Sequence, residues 1–285
     1  MVRGGGLVLG TASFARGYGL SPAADGVPSD YDPVSIISSA SDAGFDGIDT
    51  APVYGNAEHL LGTSGTRLRV YTKLRWGIRA VDSLVQSLSA LRRDSVEGVF
   101  FHEEFTLSPR QEAQLEELAL LKGQVFRMIG ASIYSEEEFH RANANSSIDI
   151  IQLPFNVLDR RFSQTFLSNH AVPGKKYIAR SVFLQGSILA PNGRLPPQVR
   201  HLESWVEGFQ DIARSFGLSA VQAALGFAAS NLAVTSLVVG ARSATDVWEL
   251  ARAAREGVPA SFIHAVESAP WPSWPLTDPR KWKTL

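Results

Sequence analysis

Short runs of β-branched and aromatic residues alternate along this chain with longer stretches of helical period. The runs fall at residues 7–10, 45–49, 70–73, 98–101, 126–130, 148–153, 177–181 and 236–240. Strands separated by helix-length segments are expected to be parallel and joined by crossover helices. Eight of them predict closure into a (β/α)8 barrel, the TIM-barrel class. Strand count does not by itself separate a closed barrel from a doubly wound open sheet, so that alternative stays open. The helical signals agree: Pro33 stands where a first-turn proline is tolerated and Gly44 where a C-cap glycine is expected. Between residues 81 and 91 the apolar Val81, Leu84, Val85, Leu88 and Leu91 share one helical face. No shift of composition marks a boundary, so residues 1–285 read as a single domain. Residues 11–33 and 190–197 read as long βα loops whose position on one face suggests a lid, and residues 270–285 as a tail packed over the barrel or its mouth.

In such a barrel chemistry sits at the carboxyl ends of the strands, which makes the polar residues closing the apolar runs the informative ones. Asp49 closes the second run, Tyr54 follows shortly after, Lys73 closes the third and His102 the fourth. Singly, such an aspartate reads as a turn residue, such a lysine as a surface charge and such a histidine as a rim residue. Together, at the ends of consecutive strands, they place a carboxylate, a phenol, an amine and an imidazole around one cavity.

Composition narrows the chemistry. The chain has no cysteine, which excludes disulfides, thiolate metal sites and cysteine nucleophiles, and no metal site is expected. Basic and acidic side chains, 27 and 28, are dispersed and give a formal net charge of -1, so no basic stripe exists to neutralise nucleic-acid phosphates. No apolar run approaches the roughly 18–20 residues needed to span a bilayer, and residues 2–9 are too short and glycine-rich for a signal segment. These features predict a cytoplasmic protein acting on a small molecule.

The stretch from Asp46 to Glu58 (Asp-Gly-Ile-Asp-Thr-Ala-Pro-Val-Tyr-Gly-Asn-Ala-Glu), with Leu61 and Gly62, resembles the second-strand signature of the aldo-keto reductases. Lys73 in Tyr-Thr-Lys-Leu matches that family's lysine, and residues 87–102 align without a gap to its helix-then-strand segment ending in a histidine. The resemblance runs from Leu9 to Ala254. It implies hydride transfer between a nicotinamide dinucleotide and a carbonyl or alcohol, with Tyr54 as general acid or base and Lys73 stabilising the developing phenolate. Asp49 would hold Lys73, and His102 would orient the substrate oxygen. It also implies that Gly10 and Thr11 line the cofactor site and that Ser132 and Gln152 meet the carboxamide. Arg180, Ser181, Phe183, Gln185 and Gly186 would lie over the pyrophosphate, and Gly240, Arg242, Asp246 and Glu249 on the adenosine side. A plain strand-to-helix turn with an N-cap at residues 240–243 is the competing reading of that last segment.

The sequence departs from the family at several positions. Arg180 stands where many members carry an aromatic residue; a guanidinium there can stack or bind an anionic group. Leu250 replaces an adenine-contacting asparagine, Asp246 an arginine near the 2′-phosphate, and Ile133 an asparagine beside the carboxamide. Arg242 keeps a phosphate partner in place, so NADPH is expected, with NADH as the alternative. Residues 13–21 and 154–161 resemble a bacterial subgroup associated with carbohydrate or natural-product pathways, which points to a sugar-like substrate lined by Phe14, Tyr18, Trp76 and Glu103, with simple loop packing by Phe14 and Trp76 as the competing reading. Two other readings stay open: a nucleotide-binding regulatory module with little turnover, and a redox-neutral epimerase or lyase using transient oxidation.

Overall fold

Hydrogen-bonded in sequence order, eight parallel strands form the centre of the computed structural model, which describes residues 6–15, 31–191 and 194–282. They are β1 (Gly6–Gly10), β2 (Gly47–Asp49), β3 (Arg69–Lys73), β4 (Val96–Phe101), β5 (Phe126–Ser132), β6 (Ile150–Pro154), β7 (Lys176–Arg180) and β8 (Val234–Val239). The last pairing, β1 with β8 from Gly6 beside Ser236 to Leu9 beside Val239, closes the barrel and removes the open-sheet alternative. Around it lie α1 (Pro33–Asp42), α2 (Ala57–Ser64), α3 (Ala80–Leu91), α4 (Pro109–Leu121), α5 (Glu136–Ala144), α6 (Gln164–His170), α7 (Glu203–Ser215), α8 (Ala220–Ala229), α9 (Ala244–Glu256) and α10 (Ala260–Ser268). Among the described residues no single helix is long and apolar enough to cross a membrane.

Side chains along each strand alternate between the barrel axis and the helices. Val8, Tyr71, Phe100, Met128, Ile150 and Ile178, joined by Val238, fill the axis. Ile48, Val70, Val99, Phe101, Ile129, Ile151 and Ala179 point outward into the larger core beneath the helices. Two aromatic rings fit the axis because their neighbours lack side chains: a Cβ at Gly130 would stand 2.4 Å from Phe100 Cδ1, and one at Gly98 would stand 3.0 Å from Tyr71 Cδ1. Gly130→Ala is therefore expected to cost about 1–3 kcal/mol in chemical denaturation through overpacking. Gly208→Ala, on α7 where nothing lies within 4 Å, should be neutral or stabilising by up to about 1 kcal/mol. Equal effects from the two substitutions would contradict this packing account.

Helix boundaries follow local chemistry. Asp32 caps α1 by accepting from the Val34 amide, Pro33 occupies its first turn, and Gly44 (φ 82°) carries the chain out of it. Ser108 with Gln111 and Ser135 with Glu138 form reciprocal capping boxes that start α4 and α5. The face of α3 differs from expectation: Ala80, Ser83, Leu84, Ser87 and Leu91 are buried, while Val85 is 60% exposed. The helix is turned because Ser83 Oγ accepts the Arg75 amide at 2.7 Å, and because Gly62 of α2 lets that helix approach the backbone of Ala90 and Leu91.

The tail packs as expected near the mouth. Asp278 and Trp282 are buried, Trp282 donates to the Leu276 carbonyl at 2.9 Å, and the Arg280 guanidinium lies 3.7 Å from the centre of the Tyr134 ring, just beyond β5. Most of the expected lid loop, residues 16–30, lies outside the described residues, as does the candidate Tyr18.

Candidate active site

Continued to the carboxyl ends of the strands, the axial alternation brings Gly10, Asp49, Lys73, His102, Ser132, Gln152, Arg180 and Gly240 to the mouth of the barrel. Tyr54 joins them through a tight turn after β2, in which its amide bonds the Ala51 carbonyl and its carbonyl accepts from Ala57 at the start of α2. The Lys73 ammonium donates to Asp49 Oδ2 at 2.6 Å and to the Thr50 carbonyl at 3.1 Å, with Lys73 only 1% exposed. Asp49 Oδ1 accepts from Gln152 Nε2 at 2.8 Å, and Gln152 Oε1 in turn accepts from Ser132 Oγ at 3.3 Å. The buried ion pair is thus held by hydrogen bonds on both sides, the condition under which such a pair is tolerated. Lys73 Nζ lies 5.0 Å from the centre of the Tyr54 ring, and His102 meets that ring edge-on at 5.7 Å and 89°.

The electrostatics assign protonation states. Burial, followed by Asp49, pushes the Tyr54 phenol up beyond the physiological range, and Arg180 acts in the opposite direction. With Asp49 paired to Lys73 at 2.6 Å beside it, the resting phenol holds its proton. Burial first, then the cations Lys73 and Arg180, lower His102 to about 3, so its ring is neutral at physiological pH.

The sign of that shift gives a stability prediction. Below about 6.5 the unfolded chain binds a proton that native His102 refuses until about 3, so His102 makes stability fall as pH drops through that window. Denaturation midpoints measured across this range should show a shallower acid slope for His102→Gln than for the wild type; an unchanged slope would refute the assignment.

The residues expected to hold the cofactor have a chemistry that fits a nicotinamide dinucleotide. Ser132 Oγ and Gln152 Oε1 are a donor and an acceptor side by side, matched to a carboxamide. At the end of β8 a Cβ on Gly240 would find nothing nearer than 3.6 Å, which leaves room there, whereas at Gly10 on neighbouring β1 it would stand 3.0 Å from Val238 Cγ1. Thr11 is buried and donates to the Asp49 carbonyl at 3.0 Å. After β7 the chain folds into short 3-10 turns with left-handed backbone at Ser181, Leu184 and Gln185 as well as Gly186. Non-glycine residues there cost on the order of 1–3 kcal/mol each, strain that clusters at ligand-binding loops. Asn156 holds this loop by donating to the Ser181 carbonyl at 3.0 Å, and Phe183 is half-buried against the core.

Beyond β8 the cap reading holds at Ser243, whose hydroxyl accepts the Asp246 amide. Asp246 accepts from the Arg242 amide at 2.8 Å and from Ser243 Oγ at 2.9 Å, so its carboxylate is occupied in shaping the turn. Arg242 and Glu249 lie exposed beside the N-terminal half of α9, and Leu250 is buried in the core, which explains its departure from a ligand-contacting asparagine.

The substrate candidates divide. Phe14 is buried and packs edge-on against Tyr31 at 6.3 Å, which gives it a structural place in the core. Trp76 is 73% exposed with the Arg110 guanidinium 5.9 Å from its ring, and Arg110 pairs with Glu103. Sequence reasoning missed Tyr134 and Arg280: Tyr134 carries the Arg180 guanidinium 3.9 Å and the Arg280 guanidinium 3.7 Å from its ring centre. The Ser135–Glu138 capping box is the signal that could have placed Tyr134 at the mouth.

The comparisons agree with this geometry. The Aldo/keto reductase family model matches residues 6–269. A probable voltage-gated potassium channel subunit beta from Oryza sativa subsp. japonica is 25% identical over 261 residues, covering 75% of this chain and 79% of that protein. Aldo-keto reductase YhdN from Bacillus subtilis (strain 168) is 28% identical over 154 residues, 47% of this chain and 46% of its own. The holo form of an aldo-keto reductase from Bacillus halodurans superposes with a TM-score of 0.75 at 18% identity, covering 94% and 93% of the two chains. A glycerol dehydrogenase from Gluconobacter oxydans does so with 0.71 at 21%, covering 94% of each. The chain, with its closed barrel and its aspartate, tyrosine, lysine and histidine at the mouth, belongs to the aldo/keto reductase family of NAD(P)H-dependent oxidoreductases.

Proposed function

We propose that residues 1–285 act as one barrel domain that reduces an aldehyde or ketone of a small, sugar-like substrate, or oxidises the matching alcohol, with NADPH preferred over NADH. The observation that carries this reading is the buried Asp49–Lys73 pair set against the Tyr54 ring, with neutral His102 edge-on to the same ring. Bound nicotinamide would supply or take up the hydride. Tyr54, protonated by virtue of its burial, is the group able to give a proton to the carbonyl oxygen. The His102 ring donates a hydrogen bond to that oxygen without carrying charge, fixing its orientation. Lys73 limits the cost of phenolate formation, and Gln152 keeps Asp49 turned towards Lys73.

Gly10, Thr11, Ser132 and Gln152 would hold the nicotinamide end, and Ser181, Phe183, Gln185 and Gly186 the pyrophosphate. Gly240, Arg242 and Glu249 would border the adenosine, with Asp246 shaping that turn, and Arg242 supports the preference for a 2′-phosphate. The sugar-like part rests on Trp76 and Glu103, an exposed indole face beside an ion pair, suited to a ring with one apolar face and several hydroxyls.

Fluorescence titration with NADPH and NADH, followed by a panel of sugar aldehydes monitored through loss of reduced nicotinamide, tests the reading. Tighter binding of NADPH and turnover of polyhydroxylated carbonyls are expected. Failure to bind either nucleotide would overturn the proposal, and tight binding without turnover would favour a regulatory module.

A further inference from the structure

Among the described residues, several guanidiniums around the barrel mouth are paired with carboxylates, and Arg180 is not. Arg161 pairs with Asp159, Arg280 with Asp278 and Arg110 with Glu103. Arg180 closes β7 on the axial side and has no carboxylate partner among the described residues. Its Nη2 donates to the Ile133 carbonyl at 2.7 Å, its Nη1 to Ser181 Oγ at 3.2 Å, and its plane rests 3.9 Å from the centre of the Tyr134 ring. The Arg280 guanidinium lies 3.7 Å from the centre of the same Tyr134 ring, and since Asp278 neutralises Arg280 the group keeps the positive charge of Arg180.

Nearby carboxylates leave that charge uncompensated. Asp49 is committed to Lys73 and Gln152. Glu138, at the start of α5, is committed to the amides of Phe105, Tyr134 and Ser135. Tyr54 and His102 are both neutral, and both feel the Arg180 charge, which places it within electrostatic reach of the reacting oxygen. A fixed, half-buried cation without a counter-ion is costly unless a ligand supplies one. The neutral acceptors on Arg180 leave N–H groups of its fork free, in the planar arrangement that matches a carboxylate.

We infer that Arg180 is a specificity residue selecting carbonyl substrates that carry a carboxylate, such as oxo acids or sugar acids with a free carbonyl. The inference rests on the oxidoreductase reading above and deepens it. The reaction is unchanged: the carboxylate pairs with Arg180 and takes no part in bond making, while the carbonyl gains hydride and proton.

Two aldehydes of equal chain length, butanal and 4-oxobutanoate, differ by a terminal carboxylate and isolate the effect. Wild type should show a kcat/KM at least about tenfold higher for 4-oxobutanoate, Arg180→Gln should bring the ratio to about one, and Arg180→Lys should restore part of it. Butanoate binding to the NADP-loaded protein, followed by calorimetry, should be lost in Arg180→Gln and kept in part in Arg180→Lys, with thermal unfolding confirming that both variants fold. An unchanged ratio, or butanoate binding that survives Arg180→Gln, would overturn the inference. So would a loss of nucleotide affinity in Arg180→Gln with both aldehydes affected alike, since that assigns the guanidinium to the cofactor. If neither these aldehydes nor the sugar aldehydes are turned over but butanoate binding still depends on Arg180, the oxidoreductase reading fails and the anion site stands.

Discussion

Tyr54→Phe should lower kcat for carbonyl reduction by about 10²–10⁴-fold while leaving nucleotide binding within about threefold. The substitution removes only the hydroxyl; the ring, which His102 meets edge-on and beneath which Lys73 sits, stays in place. The lost term is proton delivery, so KM for the carbonyl should move far less than kcat. Because burial and Asp49 hold the phenol protonated, wild-type reduction should stay flat from neutral pH into the alkaline range. Stopped-flow single turnovers at several pH values check this. A kcat that falls less than tenfold in Tyr54→Phe would mean that another group donates the proton.

Lys73→Met acts on a different energy. It leaves the Asp49 carboxylate buried with Gln152 as its remaining side-chain partner, and removing one member of such a pair costs about 3–5 kcal/mol. Turnover should fall as well, because the phenolate loses its nearest ammonium. The double variant Asp49→Asn/Lys73→Met removes both charges and should recover most of the stability while remaining inactive. Denaturant midpoints of the two single variants and the double variant, set beside their turnover, separate the structural from the catalytic part. A double variant no more stable than Lys73→Met would show that packing, not the orphaned charge, sets the cost.

Much of the fold and half of the site are legible in the sequence because β structure writes itself with a period of two. The residues that close the apolar runs, Asp49, Lys73 and His102, fall on the axial side for the same reason that Tyr71 and Phe100 do. What escapes is whatever lacks a period. β8 begins at Val234, earlier than expected, because Thr235 and Ser236 interrupt its apolar run. α8 is alanine-rich on every side and has no polar face to announce it. The buried face of α3 is hidden in the sequence because Ser83 and Ser87, polar in type, are buried, and Ser83 accepts the Arg75 amide.

The site shows the same division. Gln152 could be placed near the carboxamide by resemblance, but its grip on Asp49 spans 103 positions and no local pattern encodes it. The Arg180–Tyr134–Arg280 stack joins a strand end, a loop and the tail, three segments without mutual periodicity. Asp246 carries two roles that one position cannot separate in sequence, a place beside the expected adenosine site and a hydrogen-bonded partner of the N-cap Ser243 three positions earlier.

Hydride passing from nicotinamide to a carbonyl carbon, with Tyr54 supplying the proton, is the step on which the proposed function stands. Single turnover with NADPH deuterated at the transferring position tests it most directly. Alcohol carrying one deuterium at the former carbonyl carbon is expected, formed in step with nucleotide oxidation and abolished in Tyr54→Phe. Nucleotide that binds and is never oxidised, or product that forms with no net oxidation and no retained label, would contradict it.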